Sequence, residues 1–258
     1  MSTPYLILTD DQGNVYNFPE TIWFKDTAQI TPNLSNQHML YAIGAKQTAD
    51  GFPNTRQLAI SGLLYDTTNS GSIESAVRAL CLAIAKGGQL SISGDAVARA
   101  IDVRSPEIEY QWEHWPTYVQ ITITFNCENP FFIDTAYTTV TKTFAGNDSL
   151  IVTVTGCDFV INPIIEIDAD QSVNVPSVQI KNLNDGGMPC NYNDSLFFAG
   201  NVLVIDSDQG TVQKNGTDCI YNFKPAVFPR LQPGSNELAY EGAAMTMKVS
   251  YKRCYAIA

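Results

Sequence analysis

Residues 203–216, LVIDSDQGTVQKNG, raise the first question of chemistry, because Asp206 and Asp208 flank Ser207 just ahead of Gln209 and Gly210. Such a cluster has three readings: a calcium loop, an active-site carboxylate pair, or the tip of a hairpin. A calcium loop of the EF-hand kind needs acidic ligands at alternate positions, a mid-loop glycine and a bidentate glutamate at its end. Counted from Asp206, Gly210 arrives one place early and no glutamate closes the loop. The hairpin explains the composition better, since Asp, Ser and Gly supply turn conformations between two apolar runs.

Other carboxylates alternate along the chain. Glu107 and Glu109 form one such set, and Glu166, Asp168 and Asp170 another. A glycosidase needs two carboxylates across a sugar, whereas period-two spacing puts each set on one strand face, where water is the ordinary partner. Trp112, Trp115, Tyr110 and Tyr118 have the composition of an aromatic sugar platform. Core packing for Trp112, and a hairpin cap or subunit contact for Trp115, is the plainer reading.

Only two histidines occur, His38 and His114, and nothing in the sequence joins them into a triad or a metal site. His114, within WEHWP, reads as a polar turn residue. The six cysteines, at 81, 127, 157, 190, 219 and 254, form no C-x-x-C motif. Each stands in or beside an apolar run, which points to buried free thiols rather than disulfides. No G-x-S-x-G, H-E-x-x-H, P-loop or G-x-G-x-x-G occurs. No catalytic residue, metal ligand or cofactor is therefore assigned, and ligand-binding residues stay unknown.

The elements that carry these side chains are mostly strands. Of 258 residues, 45% are hydrophobic and 16% charged, the composition of a folded chain with a large core. Low charge density leaves neutral surface suited to burial in an assembly. The net charge is -11, from 15 Lys plus Arg against 26 Asp plus Glu. Such a chain does not grip phosphate backbones, and repulsion suits a conduit better than a binder. The first residues lack the basic and apolar regions of a secretory signal, and no run approaches the roughly 18 apolar residues of a membrane span. The expectation is a protein made in a cytoplasm that stays soluble.

The spacing of Ile73, Ala76, Val77, Leu80 and Ile84 predicts one helix over about 72–86, with Ser72 as N-cap, Glu74 in the first turn and Gly87-Gly88 as the stop. In TYVQITITFNC, Val119, Ile121, Ile123, Phe125 and Cys127 face one way and the polar residues between them the other. PEIEYQW, RQLAISGLL and QLSISG read as further strands, with EHWP as a turn. After NCENPFFID no helix is read, only short strands separated by turns such as AGND, NDGG, DSDQG and KNG. That texture indicates an all-β sandwich. The sequence therefore divides into a β domain with one helix, 1–133, and a β-sandwich domain, 134–258.

This order of parts resembles the distal tail (Dit) proteins of long-tailed phages. The resemblance rests on RQLAISGLL, the helix SIESAVRALCLAIAKGG, VQITITFNCENPFF, GNVLVIDSDQGTVQKNG and, most specifically, FPRLQPGSNELAYEG. In the last, Phe228, Pro229, Leu231, Pro233, Gly234 and Asn236 match the family's F-P-x-L-x-P-G-x-N signature, a structural bend and turn before a strand. The first thirty residues match least, and residues 31–54 have no assigned role.

The resemblance implies a tail-tube-like N-terminal β domain that closes into a homo-hexameric ring, singly or as two stacked rings. It implies a galectin-like C-terminal sandwich outside the ring, without implying sugar binding. The ring would join the tail tube to the tip or baseplate and meet the tail-tube protein and tail-tip, tail-associated or receptor-binding proteins. DNA would pass through the lumen without specific binding. The protein would reside in the virion at the tail tip, after assembly in the host cytoplasm. Strand-rich domains must cover their edges, and a ring does so by joining sheets of neighbouring copies. Residues from QLSISG to YVQITITF are expected to supply that contact, and aromatic position alone makes Trp115 and Phe131 interface candidates. Three rival readings remain: a carbohydrate- or receptor-binding sandwich, a glycosidase or peptidoglycan hydrolase, and a tail-tube subunit.

Overall fold

The computed structural model describes residues 5–19, 22–24, 30–31, 55–65, 70–93, 98–114, 118–127, 129, 131–169, 175–224 and 227–255. Two units form, one ending at Thr135 and the other spanning Ala136–Tyr255.

The first unit contains β1 (Tyr5–Thr9), β2 (Val15–Asn17), β3 (Ile22–Phe24), β4 (Ile30–Thr31), β5 (Thr55–Tyr65), α1 (Ser70–Ile84), β6 (Gly88–Ser93), β7 (Arg99–His114), β8 (Tyr118–Cys127) and β9 (Phe132–Asp134). The strands pair in the order β2-β1-β6-β7-β8-β5-β3, with β4 also on β5 and β9 on β7. All these pairings are antiparallel. Strict alternation on β8 buries Val119, Ile121, Ile123, Phe125 and Cys127 beside Leu58, Ile60 and Leu64 of β5, and the helix residues Ile73, Val77, Leu80 and Ile84 are buried too. Ala76, grouped with those residues from its spacing, is exposed.

The helix begins two residues before its expected start and ends at Ile84, so Glu74 lies beyond the first turn. The glycine stop is enforced by neighbours: with φ of +72° and +141°, a Cβ on Gly87 would collide with the Val103 carbonyl and one on Gly88 with that of Thr9. The expected ring contact, from QLSISG to YVQITITF, spans β6, β7 and β8, and the Glu107–His114 half of β7 is paired with β8 on one side. β6 lies between β1 and β7, and β8 between β7 and β5, so both use their backbone groups within this sheet rather than offering an edge. The path ends on β2 and β3.

The second unit contains β10 (Thr138–Phe144), β11 (Asp148–Val154), β12 (Ile164–Ala169), β13 (Ser177–Asn182), β14 (Pro189–Asn193), β15 (Val202–Asp206), β16 (Thr211–Lys214), β17 (Thr217–Asp218), β18 (Gly234–Gly242) and β19 (Met245–Tyr251). They form two sheets, β10-β19-β12-β15-β16-β17 and β11-β18-β13-β14. Inward residues alternate on both. Ile165, Ile167, Leu203, Ile205, Met247 and Val249 on one sheet and Val152, Val178, Ile180, Leu238 and Tyr240 on the other join one buried cluster. This is the β-sandwich that the turn-rich texture predicts. At about 25 cal/mol per Å² of buried apolar area, such a two-faced core is the main source of the unit's stability.

Candidate functional site

The Asp206 loop is the tip of the β15–β16 hairpin, with Asp206 opposite Thr211. Asp206 Oδ1 accepts the backbone N–H groups of Asp208 and Gln209, each at 2.9 Å, and Gly210 turns the chain at φ +65°. Asp208 Oδ1 accepts a long hydrogen bond, 3.4 Å, from Asn162 Nδ2. One carboxylate thus closes its own turn. Among the described residues, no group of His, Cys, Asp or Glu is arranged to hold a metal ion.

The alternating acids stay on solvated faces. Glu166 stands opposite Lys248 in register, with Lys248 Nζ 3.4 Å from Glu166 Oε2. Asp168 is exposed beside Thr246, and Asp170 lies outside the described residues. Glu107 and Glu109 are exposed opposite Thr124 and Thr122. Of the aromatic set, Tyr110 is exposed on β7, Trp115 lies outside the described residues, and so do the side chains of Trp112 and His114. His38 is likewise outside them.

A groove of about 350 Å³ does open on the outer face of β13, β14 and β18. Ser177, Val178, Gln179, Asn191, Asn193, Glu241 and Gly242 line it, with Gln179 Nε2 donating to Asn191 Oδ1 at 2.6 Å. The lining holds amides, a hydroxyl and one carboxylate but no aromatic ring for stacking a sugar.

Four cysteines, at 127, 157, 190 and 219, are buried, while Cys81 and Cys254 are half-buried, and all six are free thiols. The expectation of buried thiols is thus corrected at two positions. Burial pushes the Cys190 thiol up to about 12 and raises Cys219 as well, which keeps both protonated and weakly nucleophilic.

Cys219 adjoins a polar cluster that sequence reasoning missed. The buried Tyr192 donates its hydroxyl to Asp194 Oδ2 at 2.9 Å, and Lys214 Nζ pairs with the same oxygen. The Leu196 N–H adds a bond to Asp194 Oδ1 at 2.8 Å. Burial alone would raise the Asp194 carboxyl. The Lys214 ammonium, the Leu196 N–H and the Tyr192 hydroxyl outweigh it and leave the group below its ordinary value. Tyr192 is pushed up, by burial first and then by Cys219 and Asp194. The arrangement anchors the β14–β15 loop. Tyr192, Asp194 and Leu196 follow one another at every second residue from β14 into the loop, while Lys214 comes from β16.

The tail-protein signature residues do come together. Phe228 packs on Phe223 with ring centroids 5.1 Å apart, and Pro229 is buried. Leu231, fully buried, exchanges two backbone hydrogen bonds of 2.8 Å with Ile161. Pro233 is exposed, and Gly234 takes φ +99°, a value that favours glycine.

Asn236 is the centre. Fully buried, it accepts the Gln232 N–H (2.7 Å) and Asn182 Nδ2 (2.9 Å) on Oδ1, while its Nδ2 donates to the carbonyls of Gln232 (2.7 Å) and Gly234 (3.2 Å). Asn182, also buried, donates to the Arg230 carbonyl and accepts the Asn184 N–H. Asp185 holds Arg230 through two bonds, of 2.9 and 3.1 Å, and Gln232 through a third. Five backbone groups are thereby satisfied by side chains. The six residues form a structural lock that pins an irregular segment across the end of the β13–β14 hairpin.

Residues 156–255, which include this lock, match the family model described as the siphovirus-type tail component, C-terminal domain (SPP1 Dit). Over these residues the chain carries a domain of that family. In fold, the likeness covers both units: the crystal structure of the SPP1 Dit protein, described as a paradigm of the hub adsorption apparatus in Gram-positive-infecting phages, matches with a TM-score of 0.67. Identity is 14%, over 96% of this chain and 98% of that one. Chains of the phage P2 baseplate in its activated conformation also match, both at TM-score 0.47. The form with Ca is 11% identical over 100% of both chains, and the form with Sr 9% identical over 99% of both. No curated protein matches the sequence.

The matched domain marks the chain as a siphovirus-type tail component. Within that domain the signature residue Asn236 spends its polar groups on the lock. Of the two interface candidates, Phe131 is half-buried, its N–H bonded to Asn129 Oδ1 at 3.2 Å, and Trp115 is beyond the described residues. No helix among the described residues is long and apolar enough to cross a membrane.

Proposed function

We propose that six copies of this chain close into a ring, singly or as two stacked rings, that joins the tail tube to the tail tip or baseplate. The first unit, read as 1–133, makes the ring, and the sandwich, read as 134–258, stands outside it. DNA leaves through the lumen without specific binding, and no step is catalysed. The ring meets the tail-tube protein on one side and tail-tip or receptor-binding proteins on the other, after assembly in the host cytoplasm. The observation that carries this reading is the match of residues 156–255 to a siphovirus tail-component family. A likeness in fold to a hub protein over 96% of the chain supports it. A net charge of -11 suits a passage that phosphate must not adhere to.

The test is the mass of the purified full chain by light scattering, with negative-stain images of the same fraction. A connector stops at six or twelve copies. Long tubes would identify a tube subunit instead, and a chain that stays monomeric both alone and when mixed with its tail-tube protein would contradict the ring.

A further inference from the structure

The outermost strands of the sandwich are finished in different ways. On β11, side chains bond the Ser149 and Thr153 carbonyls. β14 is bridged by Phe223, opposite Tyr192, and its Asn191 carbonyl accepts the Lys224 N–H at 2.7 Å. β17 has only two residues, Thr217 and Asp218. β10 is the exception. Its seven residues pair with β19 on one side, and among the described residues no group bonds to its backbone on the other. An open edge of this length is a template for a further strand.

The residues of β10 say which strand fits. Thr139, Thr141 and Thr143 are exposed on the outer face. There Thr139 Oγ1 lies 3.1 Å from Ser250 Oγ, and Thr143 Oγ1 lies 3.0 Å from Thr246 Oγ1. Val140 and Phe144 turn to the core. The run Thr139-Val140-Thr141-Lys142-Thr143 thus reads nearly alike in both directions about Thr141.

We infer that β10 pairs antiparallel with β10 of a second copy of this chain, about a twofold axis at Thr141. In that register Thr141 meets its own counterpart and Thr139 meets Thr143, so the hydroxyl pairs between β10 and β19 continue across the contact as a Thr/Ser ladder. An inward-pointing lysine on an edge ordinarily discourages strand addition. Here Lys142 is held at the β10–β11 corner, 2.7 Å from Asp148 and 2.6 Å from the Ser149 carbonyl, and it stands opposite Val140 rather than its like. A slide of one residue would set threonines beside the core face. A slide of two in one direction opposes the lysines, and in the other it leaves strand ends unpaired.

The pairing itself needs no ring. Being twofold, it cannot run between neighbours around one six-fold ring, where contacts are head to tail. On the ring reading above, it joins two rings, and contacts that are weak singly act together.

The test uses the full-length chain. With a short bis-maleimide, Thr141→Cys protein should form a covalent dimer at least about tenfold faster than unsubstituted protein, which accounts for the native thiols. Thr139→Cys should link to Thr143→Cys when the two are mixed, and neither to itself. Linkage no faster than in the unsubstituted chain would leave the edge to a strand of another protein and overturn the self-pairing. In a second measurement, Thr141→Arg sets like charges on the axis and should weaken association at least about tenfold in light scattering across a dilution series. Its urea midpoint should stay that of the parent, and an unchanged mass would contradict the inference. Unsubstituted protein that stops at single rings of six would overturn the pairing and leave the ring reading intact. Linked pairs that never build rings would uphold the pairing and overturn the ring reading.

Discussion

Carboxylates serve different ends in the two units. In the sandwich several are answered by cations: Asp148 by Lys142 at 2.7 Å, Asp185 by Arg230 at 2.9 Å, Glu241 by Lys181 at 2.6 Å, and Asp194 by Lys214. These pairs fix loops and hairpins in place. Cations also close an edge. Carbonyls on the outer side of β11 and just beyond it receive side chains rather than a strand: Ser149 from Lys142 (2.6 Å), Thr153 from the Tyr251 hydroxyl (3.2 Å) and Thr155 from Arg253 (3.4 Å). Capping of this kind discourages strand addition. On the outward face of the first unit, by contrast, Glu107 and Glu109 face only Thr, Ala and Ser in register. In the sandwich, charge pins loops and hairpins around an apolar core.

The contrast breaks most visibly at Asn236. Asn236→Leu leaves the Gln232 N–H and several carbonyls buried without partners, at about 1–3 kcal/mol for each uncompensated group. A loss of at least about 3 kcal/mol is expected, read as a lower urea midpoint for the sandwich transition. At Gly87, Ala must take φ +72° and meet the Val103 carbonyl. A loss of about 2 kcal/mol or more is expected, this time in the first unit.

Asp194→Asn sharpens the comparison through pH. The folded-state carboxyl lies below the ordinary 3.8. Its stabilisation is therefore complete above that value and disappears as pH falls through the lowered folded-state value. The variant should be less stable at neutral pH by about 2 kcal/mol. It should also show a shallower loss of stability below about pH 4, measured by urea titration across acid pH. The smallest effect belongs to Glu109→Gln, which should leave stability within about 0.5 kcal/mol of the parent. A large loss there would show that the face is structural after all.

Much of the fold was legible in the residues because period two is unambiguous when one face is buried, as on β8 and β19. Other elements were hidden for physical reasons. β14 begins at Pro189 and continues with two asparagines, the composition of a turn, yet Cys190 and Tyr192 bury inward. β7 runs unbroken through Pro106 because the register shifts between Arg104 and Glu107, a bulge that accommodates a residue without an N–H. β1 and β2 escaped notice although YLILT precedes a turn closed by Asp10, whose Oδ1 accepts the Gln12 and Asn14 N–H groups.

The signature of the lock was readable as a motif, but its partners Asn182 and Asp185 lie about fifty residues away in sequence and carry no pattern of their own. The polar face was read as polar. Which side of an assembly it faces is a property of the neighbours, and alternation along one strand does not encode it.

The most direct measurement is a cryo-electron map of the purified full-length protein. The account predicts a closed ring of about 170 kDa, six times 28.3 kDa, or a pair of such rings, with the first unit around the bore and the sandwich outside. A map with the sandwich lining the bore, or particles of a single chain, would contradict it.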